Sequence, residues 1–354
     1  MSNPLVSVLV MMYRPGGVDI TMAAMRDQTF KDFELIVVDN RYERRKSEVA
    51  ALAAEYGVTT IHAPEHRRNG KWIVACAAFN TAIALARGKY VIILHDFSYV
   101  PPGWIETHVA ALEGNPRRYV TVDHVNVDLP EVVSKKPLHN NLATDRTSTE
   151  VDDVFTDGSL DEICIFKRGR FDASWLPLPI GPNQWQTGLP ELHRTNQKPE
   201  HGWITLTNDS FHREFMYELN GIDERFDMGR GPFDANLGVR VAMAGGETFF
   251  IEEPKAVLMN PRFIMRTLPY GSYAEKIPGR WTYQDGRDYY HIVKNTIPMR
   301  VRAGNPYDLN RLATALGPWR FAETEKIPQE ISDVAYWRHD LNPGSDIYDP
   351  PYET

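Results

Sequence analysis

Apolar and polar positions along residues 1–125 follow two periods in alternation: short, nearly unbroken apolar runs, and longer stretches with apolar residues at helical spacing. Val6-Ser7-Val8-Leu9-Val10 is short and β-branched, the signature of a parallel strand covered on both faces. Pro15-Gly16-Gly17 breaks it, and Ile20, Ala23, Ala24 and Met25 then give the apolar face of a short helix ending near Arg26. Leu35-Ile36-Val37-Val38 is a second buried strand that stops at Asp39-Asn40. Val49, Leu52 and Ala53 mark a helix in an otherwise charged stretch, and Val58 to Ile61 suits a third strand. A longer helix is predicted from Trp72 to Arg87, with Phe79, Ala82, Ile83 and Ala86 on one face and Gly88 as a left-handed cap. Tyr90 to Leu94 is the fourth strand, followed at once by His95-Asp96.

Strands alternating with helices predict an α/β fold, a mostly parallel sheet with helices on both faces. In such sheets the ligand sits beyond the carboxyl ends of the strands. Three predicted strands place polar groups at that edge, Tyr13-Arg14, Asp39-Asn40 and His95-Asp96. One acidic residue after a strand is more often a turn former or helix cap than a ligand. Three such groups at one edge point to a site.

Past residue 130 the pattern loosens. Residues 134–150 are polar, and 175–200 are rich in Pro, Trp, Gln and Asn. Regular structure is expected again at Ile204 to Leu206, in a helix near His212 to Leu219, and in a helix from about Phe233 to Ala244 closed by Gly245-Gly246. No internal repeat is evident.

Composition narrows the class. Two cysteines among 354 residues support neither a disulfide framework nor a multi-cysteine zinc site. No apolar run approaches the roughly 18 residues of a membrane span, and the N-terminus has no basic region leading into an apolar core. The expectation is a soluble, cytoplasmic protein. The net charge of −8 hides an asymmetry: 11 Lys/Arg against 4 Asp/Glu in residues 255–320, then 2 against 8 in 321–354. These are two solvated surfaces, or a basic face for a diphosphate or larger polyanion shielded by an acidic tail.

Several blocks, taken in order, resemble glycosyltransferase family 2, whose members have the GT-A fold and use nucleotide-sugar donors. The blocks are Val6 through Arg14, Asp27 through Asn40, Asn69-Gly70 with Phe79 through Tyr90, Phe211 through Phe226, and Asp234 through Gly245. The resemblance implies a GT-A, Rossmann-like sheet with an irregular acceptor-side region and a wrapping C-terminal tail. It divides the chain into 1–130 as the nucleotide-sugar half, 131–260 as the acceptor and catalytic-base half, and 261–354 as a basic segment with an acidic tail.

The resemblance also implies site residues. Asp39 would recognise the nucleobase, flanked by Met11, Tyr13 and Arg14, where Met11-Met12 stand in place of the family's usual Pro-Thr. Asn69, Gly70 and Lys71 would join the donor site; Arg67 and Arg68 could reach the diphosphate or lie on a solvated face. Where the family commonly has Asp-x-Asp for a divalent cation, this chain has His95-Asp96-Phe97. Asp96 can still serve a hard cation (Mn²⁺ or Mg²⁺) if the diphosphate supplies the remaining oxygens. His95 would contact ribose or phosphate or add a nitrogen ligand, and His291 is a candidate late ligand. Alternatively the metal is lost and Asp96 caps a turn. Asp234 takes the position of the catalytic base, though it also suits a helix cap. Phe233, Asp209 and Trp203 are acceptor-side candidates, and Trp175, Trp185 and Trp203 could form a stacking wall.

The expected activity is inverting transfer from a nucleoside diphosphate sugar, UDP-linked by family frequency, to a hydroxyl of a glycan or lipid-linked acceptor. A hydroxylated base in nucleic acid is the alternative acceptor, which the basic segment keeps open. A non-catalytic nucleotide-sugar-binding module is the rival from another class.

Overall fold

The computed structural model describes residues 3–12, 17–39, 42–66, 75–128, 193–194, 204, 206–224, 233–260, 300–305 and 307–321. In chain order the elements are β1 (Val6–Met12), α1 (Val18–Arg26), β2 (Phe33–Asp39), α2 (Tyr42–Tyr56), β3 (Thr60–Ala63), α3 (Ala75–Leu85) and β4 (Tyr90–Leu94). They continue with β5 (Ser98–Tyr99), α4 (Trp104–Leu112), β6 (Arg118–Asp128), β7 (His193–Arg194), β8 (Asn208–His212) and α5 (Arg213–Glu218). The last are α6 (Phe233–Met243), β9 (Glu247–Asn260) and α7 (Leu309–Leu316), which runs into a 3-10 turn at Gly317–Phe321.

The strands form one mixed sheet in the order β3-β2-β1-β4-β8-β6-β9-β5, with β7 on β9. β1 to β4 are mutually parallel, as the apolar runs predict. β8 enters between β4 and β6 in the opposite sense, while β6 and β9 return to the direction of β4. The sheet is therefore mostly parallel in direction, interrupted by one central reversed strand.

Side chains alternate across each strand, so the sheet separates two apolar layers. Val8, Val10, Leu35, Val37, Ile92 and Leu94 face α1, α2 and α4, where Met22, Leu52 and Trp104 cover them. Leu9, Ile36, Val38, Val91 and Ile93 face the other way, under Phe79, Ile83, Leu237, Leu312 and Leu316 of α3, α6 and α7.

Two expectations from the sequence are corrected. Gly88 is not a left-handed cap: it lies outside the positive-φ glycines, and its N–H donates to Ser7 Oγ at 2.8 Å. A Cβ at this position would stand 2.4 Å from the Ser7 backbone nitrogen, so the glycine is there for close backbone approach, not for turn handedness. At Ile204 to Leu206, where regular structure was expected, Ile204 and Leu206 lie outside any helix or strand. Leu206 has φ 52, and the strand begins at Asn208 and ends at His212, where helix was expected to start. Its polar sequence hides it; its partners on β4 and β6 make it.

At the amino ends of β1 and β2 a polar seam runs through the apolar layers. Glu34 Oε1 accepts from Ser7 Oγ (2.6 Å) and from the Arg87 N–H (2.9 Å), and Arg320 pairs with the same carboxylate while donating to the Leu85 carbonyl. Residue 320 thereby closes onto the first two strands. The connection at 134–150, the 175–200 stretch apart from His193 and Arg194 of β7, and the acidic tail after 321 fall outside the described residues.

Candidate functional site

β1, β2, β3 and β4 end on the same edge, and β8 begins there. Asp39, the last residue of β2, is fully buried. Its Oδ1 lies 3.3 Å from Arg45 Nη2, and its Oδ2 lies 3.2 Å from His62 Nε2. Arg45 comes from α2 and is itself 1% exposed, while His62 is on β3 with the Tyr42 ring 4.8 Å away. Sequence reading missed both partners. Arg45 sits in a run that reads as a solvated helix face, yet an arginine in reach of a buried carboxylate is drawn inward to balance its charge.

His95 and Asp96 follow β4. The His95 N–H donates to the Thr207 carbonyl at 2.7 Å, which ties this turn to the residue before β8. His95 Nδ1 is 2.7 Å from the Asp96 carbonyl and 3.1 Å from Asp96 Oδ1. A carbonyl only accepts, so Nδ1 carries a proton in this contact. Asp96 is 3% exposed and His95 is 19% exposed. Phe97, at the third position of the motif, is wholly buried with φ 64, an uncommon conformation for a bulky residue. Held strain of this kind collects at functional sites, and here it fixes the turn that carries His95 and Asp96.

Asp209 is buried on β8, where its Oδ2 accepts from the Leu206 N–H (2.6 Å) and from Tyr119 Oη (3.0 Å). Burial first, then the charges of Asp209 and Asp234, push the Tyr119 hydroxyl well above its ordinary range. Asp234 is thus within electrostatic reach of Tyr119 and Asp209, two residues along from the Thr207 carbonyl that holds His95. It lies in the first turn of α6, at the helix's positive end, and is part-exposed. Phe233 beside it packs against Phe79 of α3, ring centroids 6.3 Å apart, and contributes to the core as much as to the rim. Met11 on β1 packs on the same layer. Asp39, His95, Asp96 and Asp209 thus lie toward one sheet edge, while Asp234 opens α6 within electrostatic reach of Tyr119. Tyr13, Arg14, Arg67, Arg68, Asn69, Gly70, Lys71, Trp175, Trp185, Trp203 and His291 lie outside the described residues.

Among the described residues no three His, Cys, Asp or Glu side chains group as a metal site. The set at His95-Asp96 is one carboxylate and one imidazole. That fits a cation such as Mn²⁺ whose other ligands are diphosphate oxygens and water.

The sequence matches the family model described as Glycosyl transferase family 2 over residues 7–175. The match spans a little under half of the chain. No protein of curated function matches the sequence. Among solved structures, S. aureus TarS 1–349 in complex with UDP-GlcNAc aligns at TM-score 0.41 and 10% identity, covering 72% of this chain and 58% of that one. The mannosyltransferase PcManGT from Pyrobaculum calidifontis, in complex with GDP-Man and Mn²⁺, aligns at 0.46 and 17%, covering 91% and 73%. GalNAc-T7 with UDP, GalNAc and Mn²⁺ aligns at 0.48 and 14%, covering 95% of this chain and 57% of its own. This chain thus spans less than two thirds of the TarS fragment and of GalNAc-T7. None of these scores reaches 0.5, so no residue role or ligand passes from them to this chain. The family match agrees in region with the parallel strands β1 to β4 and their flanking helices. No helix among the described residues is long and apolar enough to cross a membrane.

Proposed function

We propose that this protein is a glycosyltransferase of the family 2 type that moves a sugar, with inversion, from a UDP-sugar to a hydroxyl of a glycan or lipid-linked acceptor. One observation carries the reading: the carboxylates of Asp39 and Asp96 lie at one edge of one sheet, and Asp234 opens α6 within electrostatic reach of Tyr119 on β6. Asp39, steadied by Arg45 and His62, would accept the imide N–H of uracil. His95 and Asp96 face the diphosphate; a divalent cation held there would neutralise the leaving group's charge. Asp234 serves as general base, drawing the proton from the acceptor hydroxyl as its oxygen attacks the anomeric carbon opposite the departing diphosphate. The low polarity around Phe233, packed on Phe79, strengthens that carboxylate's pull by limiting its hydration.

Mass spectrometry of reactions with a panel of nucleotide sugars, offered with oligosaccharide, lipid-linked and hydroxylated-DNA acceptors, tests the donor and acceptor assignments. Asp234→Asn should lower the transfer rate about 10²- to 10⁴-fold, the usual worth of a positioned base, while UDP affinity measured by calorimetry stays unchanged. Transfer by that variant at the wild-type rate sinks the assignment of the base.

A further inference from the structure

We infer that Glu224 is a positioning residue, paired with buried His66, that couples the donor side of the site to the helix bearing Asp234. The inference rests on the donor and base assignments proposed above. Its ground is the turn at 219–224, where four separate parts of the chain converge. Asn80 of α3 donates through Nδ2 to the Ile222 carbonyl (2.8 Å) and to Glu224 Oε1 (2.9 Å), while its Oδ1 accepts from the Ile222 N–H (2.8 Å). Arg240 of α6, 1% exposed, donates to the carbonyls of Leu219 (2.9 Å) and Gly221 (2.8 Å). Asn305 accepts from the Glu224 N–H (3.0 Å) and donates to the carbonyls of Asn220 and Ile222, both at 2.9 Å. Tyr307 Oη donates to Glu224 Oε1 as well. The turn is formed for this purpose: Asn220 and Gly221 both have positive φ, and a Cβ on Gly221 would stand 2.3 Å from Asn80 Oδ1.

The fourth part is His66, which precedes the stretch carrying Asn69, Gly70 and Lys71. His66 is fully buried, as is Glu224. Its N–H and its Nδ1 both lie 2.9 Å from Thr81 Oγ1, and Thr81 spends its single hydroxyl proton on the Ala77 carbonyl at 2.7 Å. Toward His66 the hydroxyl can therefore only accept, and Nδ1 carries a proton. Nε2 then faces Glu224 Oε1 at 3.5 Å. An ionised carboxylate in a dry turn calls for a compensating charge, and an imidazolium at this position supplies it. One contact thus joins the residue from which the donor-side stretch departs to the turn that Arg240 locks onto α6. His66 meets the Glu224 carboxylate while Arg240 holds the carbonyls of Leu219 and Gly221, so both grip one short turn and a continuous bonded route joins them; whether the two ends move together is what the titration reads.

The test titrates UDP into the full chain and follows backbone amide signals of residues 233–243 by NMR, together with the His66 ring nitrogens. In the wild type, UDP should shift both. Glu224→Gln keeps an oxygen for Asn80 and Tyr307 and removes the charge; His66→Gln keeps a donor and removes the cation. In either variant the α6 response should fall by more than half while UDP affinity changes less than about threefold, and UDP-sugar turnover should drop about tenfold with little change in donor KM, as expected for a positioning effect. Tyr307→Phe removes one hydroxyl and leaves the charge pair, so its α6 response should persist. Should Glu224→Gln prove unable to fold, His66→Gln decides alone. A full α6 response in the soluble charge-removing variant overturns the coupling, as does its loss in Tyr307→Phe. Failure of UDP to bind the wild type would instead strike the donor assignment, and the coupling with it.

Discussion

The two halves of the sheet are held by different means. Around β1 to β4 the sheet faces are mostly apolar, with buried polar groups such as the Ser7–Glu34 seam and the Asp39–Arg45 pair toward the strand ends, and the strands meet α1 and α3 through Val, Ile, Leu and Ala. Around β8, α6 and the 219–224 turn the interior is polar: Asp209, Ser210, Asn80, Arg240, Glu224 and His66 are all buried. Apolar packing is tolerant and non-directional, whereas a buried polar group must meet its partner or lose the free energy of leaving water. The first half supplies a frame; the second sets where individual groups point, on the side where chemistry needs it.

Substitutions can break or sharpen that contrast. The largest effect is expected at Gly88, where Ala must push the Ser7 backbone aside. Backbone cannot yield as a side chain can, so Gly88→Ala should leave little folded protein, visible as loss of soluble yield and of a cooperative denaturation curve. In the polar half, Asn80→Ala strands the Ile222 N–H, leaves the Ile222 carbonyl to Asn305 and removes a donor from Glu224. The cost should be about 3 kcal/mol, measured by urea denaturation, against roughly 1 kcal/mol for Ile83→Val in the apolar layer.

A smaller effect concerns acid. His108 of α4 is fully buried with Nδ1 2.7 Å from Ser210 Oγ, and burial lowers its pKa from the ordinary 6.5 to about 3. Between those values the unfolded chain takes up a proton that the folded chain refuses, so this group's contribution to stability falls as pH drops below 6.5 and is flat above it. About 2 kcal/mol should be lost from this group by pH 5, and His108→Gln should flatten the dependence in denaturation curves across pH 5 to 7. The least effect is expected from Arg117→Ala at its half-exposed ion pair with Glu218, about 0.5 kcal/mol or less.

The same contrast governs what the sequence could disclose. β1, β2 and β4 were legible because β-branched runs need nothing beyond themselves to be recognised. β8 was not. Four of its five residues are polar, and they become a central strand only because Tyr119 and His108, 90 and 102 residues away in sequence, receive them. Asp39, His95, Asp96 and Asp234 stood out in the sequence as candidates because each ends, follows or opens a regular element. Arg45, His62 and Glu224 were not, since a charge that looks solvated gains its meaning from a buried partner on another element. Gly88 shows the reverse error: a glycine after a helix suggests turn handedness, and only the nearby strand reveals a demand for space.

The bond between Arg320 and Glu34 has a bearing on biosynthesis. A ribosome makes Glu34 early and Arg320 286 residues later, so the carboxylate must wait, hydrated, while most of the chain emerges. The early strands can gather as they appear, but the carboxylate beneath them cannot be sealed until its guanidinium arrives. Premature release would leave a nascent fragment with an open seam at its foot, the kind of exposed edge that chaperones recognise.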